Sequence, residues 1–196
     1  MINGHVSTIE APVIAERVIE PAGTAGYRAA PAGGPRLRAD VVDVYVFRRV
    51  QGPGTFDEAI EFLQLLRNDE PLKGTWHPVM GHIEHEETAP QCAVRELSEE
   101  LGLRFGAPDL LGFWALEQVH PFYIAAIDSI VLSPRFAVEV SREFRPVLDV
   151  DHAAHRWVGA SEAWRRFMWP GQIATVREII DHLLRPGSLA KQWLRL

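Results

Sequence analysis

Three glutamates, Glu96, Glu99 and Glu100, are spaced so that a helix would present their carboxylates on one face. They stand at positions i, i+3 and i+4, and like charges at that spacing destabilise an isolated helix. Arg95 lies one residue before the first glutamate and four before the second, so its guanidinium can brace the acidic face without neutralising all of it. A hard divalent cation fits the remaining charge, because Mg²⁺ takes oxygen ligands and keeps positions for water and substrate phosphate. The spacing therefore predicts a cation site on a helix.

The glutamates end a longer pattern that covers residues 81–103. It reads Gly81, five residues, Glu87, seven residues, Arg-Glu, an aliphatic residue, any residue, Glu-Glu, any residue, Gly102 and the aliphatic Leu103. This pattern resembles the signature of the Nudix hydrolases at every fixed position. From ordinary residue frequencies, a chance match is expected on the order of once in ten million chains. The resemblance extends over residues 41–184.

The resemblance implies an α/β (α+β) fold, a Nudix-type α/β/α sandwich with a mixed central β-sheet. It also implies an enzyme that uses Mg²⁺, for which Mn²⁺ can substitute, to hydrolyse a phosphoanhydride of a nucleoside diphosphate linked to another group. The leading reaction converts a (d)NTP to a (d)NMP and pyrophosphate. The metal ligands implied are Glu96, Glu99 and Glu100, with Arg95 orienting the carboxylates. Glu99, Glu96 and the loop acid Asp151 are the candidates for the general base.

The segment before the signature narrows the resemblance. Residues 76–84 are most similar to the branch that includes dATP and dihydroneopterin triphosphate pyrophosphohydrolases. Many family members carry Pro-Gly-Gly where this chain has Val79, Met80 and Gly81, and a glycine where it has Glu86. The family leads us to expect a backbone-carbonyl metal ligand at Met80, and the missing glycines change which backbone angles the turn adopts easily.

Other functions remain open at this point. Tyr123 lies 20 residues after Leu103, close to where enzymes that cleave dinucleoside polyphosphates tend to carry a tyrosine, and nucleotide sugars are a further substrate class. A nucleotide-sensing domain without turnover is the alternative from outside the enzymes. Such domains typically lose glutamates of the signature, and because none is lost here, the sequence favours an enzyme.

Two residues before the signature are candidates for substrate binding. Arg67 follows an apolar strand and could reach a phosphate; the simpler interpretation is an exposed cation at a strand end. Trp76 precedes the signature by five residues and could stack on a base or fill the core. The sequence predicts both as substrate contacts.

The histidines form two groups, His77, His82 and His85 and then His152 and His155. Their spacing is not that of a structural zinc site, and no cysteine lies where it would complete one. We therefore interpret them as exposed loop residues.

Composition limits the partners. The chain has 20 basic and 26 acidic side chains and a formal charge of −6, so general attraction to nucleic acid or to an anionic membrane is not expected. The single cysteine, Cys92, cannot form an intramolecular disulfide, and no stretch of 18 uncharged apolar residues occurs. We expect a cytoplasmic protein whose partner is a small-molecule nucleotide or related diphosphate, and a homodimer remains open.

The 196 residues divide unevenly. Between residues 21 and 35, 12 of 15 residues are Ala, Gly or Pro, which is typical of a linker. We predict an arm over residues 1–40, with an added strand near Ala11 as an option, a Nudix domain over 41–185 and a tail over 186–196.

The predicted elements include strands over 41–50, 60–66, 110–119, 122–132, 135–140 and 155–158, a helix over 89–101 that stops at Gly102, a short helix capped by Ser161, and a final helix over 173–184.

Overall fold

The computed structural model describes residues 33–50 and 59–196. The strands in these residues are β1 (Arg36–Arg38), β2 (Val41–Arg49), β3 (Ile60–Arg67), β4 (Trp76–His77), β5 (Val79–His82), β6 (Leu110–Ala115), β7 (Phe122–Ile124), β8 (Ser129–Val131), β9 (Arg135–Val140) and β10 (His152–Gly159). The helices are α1 (Ala89–Leu101), α2 (Ala160–Arg166), α3 (Pro170–Glu178) and α4 (Ala190–Trp193).

The large sheet has the strand order β10-β3-β2-β9-β6, with β4 paired to β3 and β5 paired to β2. The pairing of β2 with β9 is parallel, and the other pairings of this sheet are antiparallel. A smaller sheet has the order β1-β8-β7. The predicted mixed central sheet is therefore confirmed.

Strand β2 shows why helices cover both faces of the large sheet. Successive side chains of a strand point to opposite faces, and β2 carries buried apolar side chains on both sides. Val42, Val44 and Val46 pack with the buried face of α1. Tyr45 and Phe47 pack instead with residues of α2 and α3. This layering is the α/β/α sandwich that the sequence predicts.

Helix α1 has a defined beginning and end. Thr88 caps its N-terminus and forms a reciprocal capping box with Gln91, which satisfies backbone N–H groups that a helix start leaves without partners. Gly102 ends it in the left-handed conformation, with φ +68°, which glycine adopts without steric cost. The predicted bounds 89–101 are confirmed.

Several predicted elements differ from the structure. The predicted strand over 122–132 is interrupted by a short 3₁₀ turn and by Asp128 in the left-handed conformation. The strand predicted over 110–119 ends at Ala115. The predicted cap Ser161 is wrong, because α2 begins one residue earlier and is preceded by Gly159. The final helix begins at Pro170 and continues beyond α3 as a π-helical turn over Ile179–Leu183.

The two ends of the described chain lie along sheets. Strand β1 lies within the predicted arm and pairs in parallel with β8, while the option of a strand near Ala11 falls outside the described residues. At the other end, Leu194 and Leu196 hydrogen-bond to the backbone of β6 at Ala115 and Phe113. The division into arm, domain and tail remains a prediction. Within residues 33–50 and 59–196, no helix is long and apolar enough to span a membrane.

A buried ion pair joins the sheet to α3. Arg135 Nε lies 3.2 Å from Asp43 Oδ2, and Arg135 Nη1 donates to the Gly171 carbonyl at 2.8 Å and to Thr175 Oγ1 at 2.6 Å. Burial raises the pKa of Asp43 to about 6, although the charge of Arg135 acts in the opposite direction. Arg135 therefore ties the N-terminal part of α3 to the centre of the sheet.

We expect Asp43→Ala to lower the free energy of unfolding by about 3 kcal/mol, because it leaves the Arg135 charge buried without its partner. The matched control is Glu162→Ala, which removes one half of the exposed pair between Glu162 and Arg166 and should cost less than about 1 kcal/mol. Chemical denaturation measures both. Equal losses of unfolding free energy in the two variants would contradict a stabilising role for the buried Asp43–Arg135 pair.

Candidate active site

Arg95 is the centre of a carboxylate cluster. Its Nε and Nη2 donate to the two oxygens of Glu87 at 3.0 Å each, and Nη2 also donates to the His82 carbonyl at 2.9 Å. Its Nη1 donates to Glu96 at 2.7 Å and to Glu99 at 2.9 Å. The hydrogen bonds to Glu87 above all, and then those to Glu96 and Glu99, raise the pKa of the Arg95 guanidinium. One cation thus connects three carboxylates of the signature.

Glu87 ties the loop before α1 to the helix. Its second oxygen accepts a hydrogen bond from the Glu84 backbone at 3.1 Å, and the hydrogen bond from Arg95 lowers the pKa of Glu87. Glu86 has φ +65° where many family members carry glycine, so this chain adopts a left-handed turn with a side chain that disfavours it. The loop keeps its turn despite the departure from the family pattern.

Gly81 makes room for Glu96. A Cβ atom added at Gly81 would overlap the carboxyl group of Glu96, so a larger residue here would displace that carboxyl group from its present position. Glu96 is almost buried, and burial raises its pKa against the opposing effect of the Arg95 hydrogen bond. Glu99, by contrast, is about half exposed, with 56% of its side-chain surface accessible.

We expect Gly81→Ala to displace the Glu96 carboxylate and to abolish most of the activity proposed below. It should also cost about 1–3 kcal/mol of stability, the usual penalty for overpacking a filled space. Gly159→Ala is the control, because its added Cβ would come no closer than 3.8 Å to Ser161 Oγ. Activity and denaturation measured on both variants test this, and a fully active Gly81→Ala enzyme would contradict the geometry.

Glu100 is the most deeply buried carboxyl group of the face, with 4% exposure. Its Oε2 atom has no hydrogen-bond partner. Burial raises the pKa of Glu100 to about 9, and the charges of Glu96 and Asp149 act in the same direction. The charges on this face therefore favour the arrival of a cation.

Two histidines lie behind Glu100. His152 Nδ1 is 2.7 Å from Asp149 Oδ1, and its Nε2 is 3.9 Å from Glu100 Oε2. The His77 ring centroid lies 5.2 Å from that of His152, and burial lowers the pKa of His77 to about 4. The interpretation of the histidines as exposed loop residues is wrong for these two, which lie on strands and are buried. His82, His85 and His155 are exposed as predicted, but His82 and His155 lie on strands β5 and β10 and not on loops.

The remaining predicted site residues lie at different distances from this cluster. Arg67 ends β3 opposite His152, and its charge lowers the pKa of Glu100. Trp76 has the guanidinium of Arg156 stacked at 4.0 Å from its ring centroid, so one face of the ring is covered. Asp151 is exposed, and its carbonyl accepts a hydrogen bond from the Asn68 backbone.

Sequence reasoning missed Asp149 and His152. The loop acid whose charge acts on Glu100 is Asp149, two residues before the predicted Asp151. The spacing of three residues between Asp149 and His152 was the available signal, since it allows a carboxylate and an imidazole to meet across a turn. The position of His77 beside His152 could not be predicted in this way, because His77 lies on a strand that is distant in the sequence.

The residues fit a hard cation, although their present orientations do not enclose one. Within the described ranges, no three His, Cys, Asp or Glu side chains are arranged to hold a metal ion as they stand, because Arg95 engages Glu96 and Glu99. The donors are nevertheless all carboxylate oxygens, which suit Mg²⁺. The buried, unpartnered Oε2 of Glu100 is the clearest vacant donor among them.

A model of the NUDIX domain matches residues 37–179, well over half of the chain. The chain therefore belongs to the Nudix hydrolase family, as the signature predicts.

Three named proteins are similar in sequence to this chain. The chain is 30% identical over 142 residues to an asymmetrical bis(5'-nucleosyl)-tetraphosphatase of Sus scrofa, covering 68% of this chain and 87% of that protein. It is 34% identical over 109 residues to a dihydroneopterin triphosphate diphosphatase of Haemophilus influenzae, covering 52% of this chain and 66% of the relative. It also matches an octanoyltransferase of Myxococcus xanthus at 32% identity over 115 residues, 58% of this chain, but spans only 30% of that protein's length.

The fold agrees as well. The solved structure of the E. coli dihydroneopterin triphosphate pyrophosphohydrolase superposes with a TM-score of 0.57 at 23% identity, covering 71% of this chain and 94% of the other. At that identity the likeness concerns the fold alone.

Proposed function

We propose that this protein is a Mg²⁺-dependent hydrolase that cleaves a phosphoanhydride of a nucleoside diphosphate linked to another group. The leading reaction converts a (d)NTP to a (d)NMP and pyrophosphate. The observation that carries the proposal is the acidic face of α1 together with Glu87 just before it: one arginine hydrogen-bonds three carboxylates, and a fourth carboxyl group, Glu100, keeps a buried oxygen without a partner. The polyphosphate compounds named for two of the relatives support the substrate class.

The metal would be held by Glu96, Glu99 and Glu100, with the Met80 carbonyl as a backbone ligand. When bound, Mg²⁺ polarises phosphoryl oxygens and lowers the pKa of a coordinated water. Arg95 holds Glu96 and Glu99 beside one another while Glu87 holds Arg95 in place, so the two carboxylates would need only to turn from Arg95 to reach a cation.

Three carboxylates are candidates for the general base. Glu99 is the most accessible in-helix candidate, since more than half of its side-chain surface is exposed. Glu96 is more buried and hydrogen-bonded to Arg95. Asp151 ranks third; its carboxylate is exposed just before β10, outside the helix that carries the other two candidates.

Substrate contacts are proposed for two residues beside this face. Arg67 lies close enough for its charge to lower the pKa of Glu100, which suits a guanidinium that binds a phosphate of the same substrate. Arg156 already stacks on one face of the Trp76 ring. A nucleotide base would therefore stack on the other face, or it would displace Arg156.

A dinucleoside polyphosphate is the second candidate substrate. The Sus scrofa relative, matched over 87% of its length, is named for that activity. Tyr123 is exposed, with its hydroxyl donating to Asp128 at 2.9 Å, and so can contact a ligand.

The test is a substrate panel of dATP, dihydroneopterin triphosphate, diadenosine tetraphosphate and ADP-ribose, with products separated by chromatography. We expect hydrolysis of a triphosphate between its α and β phosphates, with pyrophosphate released, and full loss of activity on chelation by EDTA. Activity that survives exhaustive chelation would contradict the mechanism. Binding of a nucleotide without turnover would identify a sensing domain instead.

We expect Glu99→Gln to lower kcat/KM by at least about 100-fold, the scale on which a lost metal ligand or catalytic base acts. Its melting temperature without metal should equal or exceed that of the parent, because one of several repelling charges is removed. Glu162→Gln, at an exposed glutamate of α2, is the control and should keep full activity. Retained activity in Glu99→Gln would show that this carboxylate is not required.

A further inference from the structure

Four buried polar atoms without hydrogen-bond partners lie together behind the acidic face of α1. They are Arg67 Nε, His77 Nε2, Glu100 Oε2 and His152 Nε2. Most buried polar atoms in proteins have a partner, and leaving one unpaired costs roughly 1–3 kcal/mol. A group of four therefore points to a function rather than to stability.

The contacts of His152 fix the orientation of its imidazole ring. Its side chain is 1% exposed, and Asp149 accepts from Nδ1 at 2.7 Å, which fixes the orientation of the ring and leaves Nε2 facing inward. Nε2 and Glu100 Oε2 are 3.9 Å apart, somewhat longer than a hydrogen bond. Both are among the atoms without a partner. Because Nδ1 already donates to Asp149, Nε2 can donate to the Glu100 carboxylate only when the imidazole carries both protons, and a small rotation of Glu100 then brings this donor and acceptor together.

His77 prevents the ring of His152 from turning away. The two ring centroids are 5.2 Å apart, and His77 is itself held by a 2.6 Å contact between its Nδ1 and the Pro78 carbonyl. On the other strand, Arg67 is the residue paired with His152 across the β3–β10 ladder. The imidazole of His152 thus lies between neighbours from two other strands.

We propose that His152 is a positioning residue for Glu100, with Asp149 fixing the imidazole and the imidazole fixing the carboxylate that binds the cation. The inference rests on the proposed function. A group that hydrogen-bonds a metal-binding carboxylate fixes its orientation, and removing such a partner typically weakens metal binding about 10–100-fold. In this arrangement Asp149 is the acid of the loop that supports Glu100.

A purely structural role makes a different prediction. If the pair of Asp149 and His152 only fastened the loop before β10, its loss would lower the melting temperature and leave metal affinity unchanged. Metal affinity therefore separates the two roles.

The experiment is calorimetric titration of the full chain with Mn²⁺, without substrate, together with thermal denaturation without metal. His152→Asn keeps an atom near Nδ1 and loses the one near Nε2, so we expect its Mn²⁺ dissociation constant to rise about tenfold or more. His152→Gln keeps an amide near Nε2 and should bind within about threefold of the parent. Asp149→Asn should weaken binding in the same direction as His152→Asn.

Two controls match these variants. His155→Asn changes an exposed histidine of the same strand, and Asp69→Asn changes an exposed acid of the loop after β3, and both should bind Mn²⁺ like the parent. Parent-like affinity in His152→Asn and Asp149→Asn, with only the melting temperature lowered, would overturn the inference. If His152→Asn does not fold, Asp149→Asn and His152→Gln decide by the same measurement.

Different results would refute the proposed function and the role of His152. A parent protein that binds no Mn²⁺ and hydrolyses nothing would refute the proposed function and this inference together. A parent that binds Mn²⁺ and turns over substrate, beside variants of unchanged affinity, would refute only the role of His152.

Discussion

Arg95 carries one positive charge among the carboxylates of Glu87, Glu96 and Glu99, and the rest of the site depends on this balance. Repulsion between carboxylates on one helical face would disperse them or oppose the helix. The guanidinium holds the three in fixed directions, while Glu100 lies deeper and has no hydrogen-bond partner at Oε2. The protein alone thus leaves negative charge without compensation, which is the condition for binding a divalent cation.

The fold supports this concentration of charge from both sides. Strand β5 reaches the acidic face closely because Gly81 has no side chain to exclude Glu96. The opposite face of α1 is anchored by Ala93, Leu97 and Leu101 in the core, and the capping box fixes where the helix begins. An electrostatically unfavourable helix face is therefore maintained by apolar packing and capping.

The sequence predicted those parts of the site that depend on local spacing. The helix over 89–101, its stop at Gly102 and the grouping of glutamates with Arg95 all follow from residues within one segment. It did not predict the burial of His77 and His152, because these come from strands that meet only in the folded sheet. The stacking of Arg156 on Trp76 was missed for the same reason.

The central claim is that the acidic face of α1 is a cation site, and anomalous diffraction from crystals soaked in Mn²⁺ tests it most directly. The account predicts an anomalous peak within bonding distance of carboxylate oxygens of Glu96, Glu99 and Glu100, next to the Met80 carbonyl. Arg95 should still contact Glu87 in that structure. A saturated crystal with no peak at this face, or with its only peak at the histidines, would contradict the claim.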